Sequence, residues 1–222
     1  MKTLFIPAKS NIEIKIVPSE LKKIKANKIG IATTIQHFGK VNEMLAQGRI
    51  LNGILAGKIL GCNVDSAKKI EKNIDAFLYI GTGEFHPIKI ALETNKEVYT
   101  MNPSTGRIKK IDEKDIKIIR NRTKAGLVKF LSSSKIGILV STKKGQQNLE
   151  AAKQIENLYP EKKFYVFAFN TLNINDLENF PFIECWINTA CPRIATDDSI
   201  RAGKAMINLE DILKFRKESE EK

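Results

Sequence analysis

The sequence predicts an α/β fold of two similar domains, each a small parallel sheet flanked by helices. Three observations predict it. Short apolar runs ending in small hydroxyl residues, Lys28–Thr34 and Lys135–Thr142 the clearest, alternate with helix-like segments, as strands buried on both faces of a parallel sheet do. Both runs open on Lys-Ile-Gly-Ile, an internal echo that points to two homologous halves. Between the halves Arg107–Asp115 is polar and charged, so a linker falls there and the domains read as 1–106 and 107–222.

In chain order, Leu4–Pro7 reads as a short apolar strand, and Ile12, Ile14 and Ile16 alternate with polar residues in a second extended stretch. Pro18 and Ser19 open a lysine-rich helix over Glu20–Ala26. The strand Lys28–Thr34 leaves through a loop at Gln36, His37 and Phe38 into a helix over Val41–Ala46. Ile50–Leu60 is apolar but interrupted by Gly53 and Gly57, and it ends in Gly61-Cys62-Asn63. Asp65 or Ser66 caps a helix over Ala67–Lys72. Ala76–Gly81 is a central strand, Pro87 opens the helix Ile88–Thr94, and Glu97–Met101 is the next strand, closed by a turn at Asn102, Pro103 and Gly106. A long helix, Asp115–Leu131, offers Ile116, Ile119, Leu127, Phe130 and Leu131 for burial. The pattern then restarts with strand Lys135–Thr142, loop Lys143–Gln146, helix Asn148–Leu158 and strand Lys163–Phe169. A helical turn, Ile174–Glu178, precedes a last core strand, Phe182–Ile187, and the charged tail Phe215–Lys222 reads as a fraying helix end.

The totals narrow the class of function. No apolar run approaches the roughly 20 residues of a membrane span, and Met1–Pro7 is too short for a secretory signal, so a cytoplasmic protein without membrane contact is expected. Three cysteines are an odd number without the spacing of a disulfide framework, which fits a reducing compartment. The 37 Lys and Arg against 25 Asp and Glu leave a net charge of +12, which favours an anionic partner: a phosphate-bearing ligand, RNA or an acidic protein.

Chemistry gathers at strand ends. Trp186–Asp198 stops an apolar run at Asn188 and Thr189, then presents Cys191, Pro192, Arg193 and the pair Asp197 and Asp198. Loops at the carboxyl ends of parallel strands are where such folds hold ligands. A free cysteine there is either a reactive or ligating thiol or a small apolar residue closing the strand. Cys62 also follows a predicted strand, whereas Cys185 lies inside an apolar run and reads as core packing. Thiolates drawn from separate loops can bind an iron–sulfur cluster without a local motif. Lys143 and Lys144 suit a carboxylate or phosphate, or form an ordinary solvated pair. His86, before Pro87, is a candidate ligand or proton donor, while His37 shows only a loop position. Asp197 and Asp198 read as caps of a helix from Ser199. Two histidines exclude a histidine-rich metal site, and no phosphate-loop, dinucleotide or Cys-x-x-Cys pattern is present.

Five motifs in order then carry a resemblance: Thr34–His37 (TIQH), Leu60–Asn63 (LGCN), Tyr79–Pro87 (YIGTGEFHP), Val140–Gln146 (VSTKKGQ) and Asn188–Asp198 (NTACPRIATDD). Together they resemble the archaeal 2-(3-amino-3-carboxypropyl)histidine synthases, which catalyse the first step of diphthamide biosynthesis. The resemblance implies three similar α/β domains, each giving one cysteine to a [4Fe–4S] cluster whose open iron takes S-adenosylmethionine. Reductive cleavage there releases a 3-amino-3-carboxypropyl radical that adds to a histidine of translation elongation factor 2. Cys62 and Cys191 match the family's second and third cluster cysteines. Lys143, Gln146 and Arg193 are candidates for holding the carboxylate end of S-adenosylmethionine. The chain begins where the family's second domain begins, so the first domain and its cysteine are expected on a separate chain. A reductant and a homodimer are also implied, with no nucleic acid. The alternative is a non-catalytic docking subunit that keeps the fold.

Overall fold

The computed structural model describes residues 4, 6–60, 63–198 and 203–221. It divides into two compact units, residues 1–116 and 117–222.

In the first unit β1 (Ile29–Thr33), β2 (Gly53–Lys58), β3 (Ala76–Ile80) and β4 (Glu97–Met101) form a parallel sheet in the order β2-β1-β3-β4. β1 and β3 are buried along their whole length because both faces are covered, and the one polar residue, Thr33, satisfies its hydroxyl on the Ile80 carbonyl (2.7 Å). Ile29, Ile31, Leu78 and Ile80 pack with Val41 and Met44 of α2 (Ile35–Ala46) on one face. Ala32, Phe77 and Tyr79 pack on the other with Ala67 of α3 (Asp65–Ile70) and with Ile90 and Ala91 of α4 (Phe85–Glu93).

Several expectations are corrected. Residues 4 and 6–17 form no strand: Leu4 and Ile6 are exposed, while Ile14 is buried in irregular chain. α1 is a single turn, Pro18–Leu21, and not a helix to Ala26. Gln36, His37 and Phe38 are the first turn of α2, whose inner face repeats through His37, Val41 and Met44. Neither Asp65 nor Ser66 caps α3; Asn63 instead accepts the Asp65 N–H at 2.9 Å. Pro87 lies within the first turn of α4, where its missing N–H has no helical partner to lose. The stretch read as a linker forms β5 (Ile108–Lys110), antiparallel to β4 at the sheet edge. At this edge Ile108 is buried while Lys109 and Lys110 are exposed.

The unit division falls in the first turn of α5 (Glu113–Ser132). The second sheet, β6 (Lys135–Ser141), β7 (Lys163–Phe169), β8 (Cys185–Asn188) and β9 (Met206–Asn208), is wholly parallel with the order β7-β6-β8-β9. α5, α6 (Leu149–Leu158) and α7 (Leu209–Glu220) supply Phe130, Ala152, Ile155, Leu209 and Ile212 to one face. A 3-10 segment (Ile174–Asn179) and an aromatic group around Trp186 cover the other. The last core strand is β9, three residues long, and not Phe182–Ile187.

The two sheets repeat the same topology. Gly30 is the register partner of Phe77, and Gly137 that of Trp186. In each unit a glycine makes room for a large aromatic ring on the neighbouring strand.

Candidate functional site

In the second unit the chain runs from β6 outward to β7 and returns to β8 on the other side. The carboxyl ends of β6 and β8 therefore form a switch point, where neighbouring loops diverge and leave a crevice. Lys143 and Gln146 stand on the loop after β6; Cys191 and Arg193 stand on the loop after β8. The fold brings these four to one end of adjacent strands.

The β6 loop is a tight turn. The Lys143 N–H donates to the buried Ser141 Oγ (3.1 Å), and the Gln146 N–H donates to the Lys143 carbonyl (3.0 Å). Gly145 supplies the left-handed conformation (φ 81°) that a side chain resists.

The β8 loop is held by buried polar side chains. Thr189 Oγ1 donates to the Leu139 carbonyl (2.9 Å), tying the end of β8 to β6. Asn188 Nδ2 donates to the Cys191 carbonyl (2.9 Å) and to Asn208 Oδ1 (2.7 Å), and Asn208 Nδ2 donates to the Pro192 carbonyl (3.3 Å). Asn188 Oδ1 accepts the Ala190 N–H at 3.2 Å. A π-helical turn, Ile194–Asp198, follows, with the Ile194 N–H donating to the Cys191 carbonyl. The result is a half-buried thiol on a loop whose backbone is fixed from beneath.

Cys185 is different. It is fully buried among Ile136, Ile187 and the helices, and burial pushes its thiol up to about 12. A protonated thiol facing the core is no metal ligand. Cys62 lies outside the described residues; flanking it, Leu60 and Asn63 form an antiparallel bridge after β2. Among the described residues, no cluster of three or more His, Cys, Asp or Glu could hold a metal ion. The helix expected from Ser199 also lies outside the described residues, while Asp197 and Asp198 end the π-helical turn.

The cysteines do not mark equivalent places. Cys62 follows the outer strand β2, while Cys191 follows β8. Counting on from the paired registers (Phe77 with Trp186), the counterpart of Cys191 is Thr82. Cys62 and Cys191 therefore do not occupy equivalent positions of the repeat.

At the carboxyl end of the first sheet, Tyr79 Oη and His86 Nδ1 lie 3.4 Å apart with stacked rings, and burial pushes the Tyr79 phenol up to about 12. A side chain at Gly81 would collide with that hydroxyl. His37 is buried and its imidazole is held below the usual range, first by burial and then by Lys40.

Asn208 is the site residue that sequence patterns conceal. An asparagine just before an apolar helix reads as an N-cap, yet its side chain makes no capping bond to α7 and turns to Asn188 and Pro192.

Two repeated sheets with a fixed cysteine loop at the second switch point define an α/β protein that carries a thiol at a sheet edge. The family model for diphthamide synthesis proteins matches residues 1–219, and the chain belongs to that family. The 2-(3-amino-3-carboxypropyl)histidine synthase of Pyrococcus horikoshii is 34% identical over 88% of this chain and 60% of the relative. Its namesake in Methanocaldococcus jannaschii is 34% identical over 99% of this chain and 63% of the relative. The crystal structure of Dph2 from Pyrococcus horikoshii with a 4Fe-4S cluster superposes with a TM-score of 0.72 at 30% identity, covering 87% of this chain and 58% of that one. The chain thus spans about six-tenths of the length of the relatives it matches. No described helix is long and apolar enough to cross a membrane.

Proposed function

We propose that this chain takes part in the first step of diphthamide biosynthesis, the transfer of a 3-amino-3-carboxypropyl group from S-adenosylmethionine to a histidine of translation elongation factor 2. The observation that carries the proposal is the half-buried Cys191, held on a fixed loop at a switch point in a chain of this family. The donor set fits a shared [4Fe–4S] cluster: Cys191 is placed to give one thiolate, Cys62 is assigned the second, and the buried Cys185 gives none. The third thiolate must then come from polypeptide beyond these three cysteines, in the same protein or a partner. When bound, the cluster supplies the electron that cleaves S-adenosylmethionine. The two units serve as two of the repeated cysteine-bearing domains, with their boundary at the first turn of α5 instead of at Arg107, so that β5 stays with the first. A reductant, a homodimeric assembly and a cytoplasmic setting, where thiols stay reduced, complete the reading.

Lys143, Gln146 and Arg193 are assigned to the carboxylate end of S-adenosylmethionine, because cationic donors on the two switch-point loops favour an anion there. Lys143→Ala and Arg193→Ala should each weaken S-adenosylmethionine binding by about tenfold, as expected for losing a charge-assisted hydrogen bond. Titrating the ligand against the reduced iron signal measures this. An unchanged midpoint in both would remove these residues from the site.

The test of the function is anaerobic reconstitution with iron and sulfide, followed by electron paramagnetic resonance of the reduced sample. A [4Fe–4S] signal that changes on adding S-adenosylmethionine is expected. A folded chain that takes up no iron, alone or mixed with a full-length relative, would instead make it a docking subunit.

A further inference from the structure

We propose that Asn208 is a positioning residue for Cys191, a role that rests on Cys191 serving as a cluster ligand. β8 and β9 are parallel with Asn188 opposite Asn208, so their side chains emerge side by side on one face. Both residues are more than nine-tenths buried, at 2% and 7% exposure. Their amides form a closed set: Asn188 holds the Cys191 carbonyl and Asn208 Oδ1, while Asn208 holds the Pro192 carbonyl. Two consecutive carbonyls of the cysteine loop are thereby fixed, that of Cys191 from β8 and that of Pro192 from β9, a strand that carries no ligand itself. Each N–H of the Asn188 amide is used, so removing Asn208 leaves one buried donor without a partner.

The same pair explains why a three-residue strand closes the sheet. β9 offers Met206 and Ile207 to the two core faces and Asn208 to the loop. Its helix begins at the next residue without a side-chain cap, so the asparagine is spent on the loop instead. Residues that orient a metal ligand from behind commonly change metal affinity by about 10- to 100-fold when removed.

The experiment uses the full chain carrying Asn208→Ala or Asn208→Asp, beside Ile155→Val as a core control matched for melting temperature. The aspartate keeps the acceptor for Asn188 but, while ionised, cannot donate to the Pro192 carbonyl, and the protection of Cys185 shows in each variant whether the core has folded. In the iron-free protein, alkylation by iodoacetamide is followed separately at Cys191 and Cys185 by peptide mass. Cys191 should react about tenfold faster in both Asn208 variants, the factor expected from loosening a loop hydrogen bond, while Cys185 stays protected and reports an intact core. In the reconstituted protein, iron release to a chelator should be about 10- to 100-fold faster than in the control. Cys191 alkylation equal to the control in both variants would overturn the proposal, as would equal iron release from a loaded protein. If the natural chain takes up no iron, the cluster reading fails by itself, and the alkylation rates still decide whether Asn208 positions Cys191.

Discussion

Cys191→Ala should abolish iron binding, whereas Cys185→Ala should keep the cluster and lose only stability. Both cysteines lie within one stretch of chain, six residues apart in number but on opposite sides of the strand end. Cys185 starts β8 and faces Ile136, Ile138 and the helical layer with no exposed surface. With its thiol pushed up to about 12, its thiolate fraction at neutral pH is below about one in ten thousand. Binding iron there would need both deprotonation in the core and an opened sheet. Truncating it removes one buried sulfur and should cost about 1–2 kcal/mol, read as a lower melting temperature. Cys191 lies past the end of β8, half-buried, on a loop whose backbone is held by three hydrogen bonds to the side chains of Asn188 and Asn208 and whose base is tied to β6 by Thr189. Its removal should leave the fold alone and take away the proposed cluster ligand. Iron and sulfide per chain, measured beside the thermal melt, separate the two effects. Equal iron loss from both variants would mean that Cys185 reaches the metal and that the core assignment is wrong.

The strands were legible where burial on both faces imposes an unbroken apolar run. β1, β3 and β6 lie within a residue of their predicted spans for that reason, while β4 and β7 match theirs through their aromatic and β-branched residues. β5 escaped because it is a three-residue antiparallel edge with two exposed lysines after Ile108, a pattern that also describes a polar linker. β9 escaped because three residues carry too little periodicity to count. The N-terminal isoleucines mislead in the other direction: Ile14 is buried, but by packing of irregular chain and not by a ladder. At the site, Lys143, Cys191 and Arg193 could be read as chemically unusual residues at strand ends. Asn208 could not, since its partner Asn188 is distant in sequence and its position imitates a helix cap. That Cys62 and Cys191 follow non-equivalent strands was hidden for a related reason: counting residues along one strand says nothing about which strand it becomes in the sheet.

Gly137→Ala should be among the most damaging single substitutions in the second unit, with a cost of about 3 kcal/mol or more. Alanine normally strengthens a strand relative to glycine, by roughly 0.5–1 kcal/mol, so the sign itself is diagnostic. A Cβ at Gly137 would fall well inside contact distance of the six-membered ring of Trp186 and 3.1 Å from Ile183 Cγ2. The ring cannot retreat, because Phe167 meets it edge-on at 4.9 Å and Phe180 at 6.3 Å, and Trp186 is fully buried. At Gly30 the nearest atom is the terminal Cδ1 of Ile74, at 2.6 Å, which can rotate away, so Gly30→Ala should cost less despite the equivalent position. Trp186 is the protein's one tryptophan, so its fluorescence during urea unfolding reports on the second unit directly. Trp186 also begins the short run that ends in Asn188, so displacing it shifts the base on which the Cys191 loop is built. Trp186→Phe removes the ring atoms that collide. In the Gly137→Ala background it should therefore cost less than it does alone, which unfolding followed by circular dichroism can measure. Strictly additive costs would place the strain elsewhere than between these two residues. A coupling of 1 kcal/mol or more, of about the size neighbouring core residues show, would locate it at the pairing of β6 with β8, the same pairing that sets the switch point.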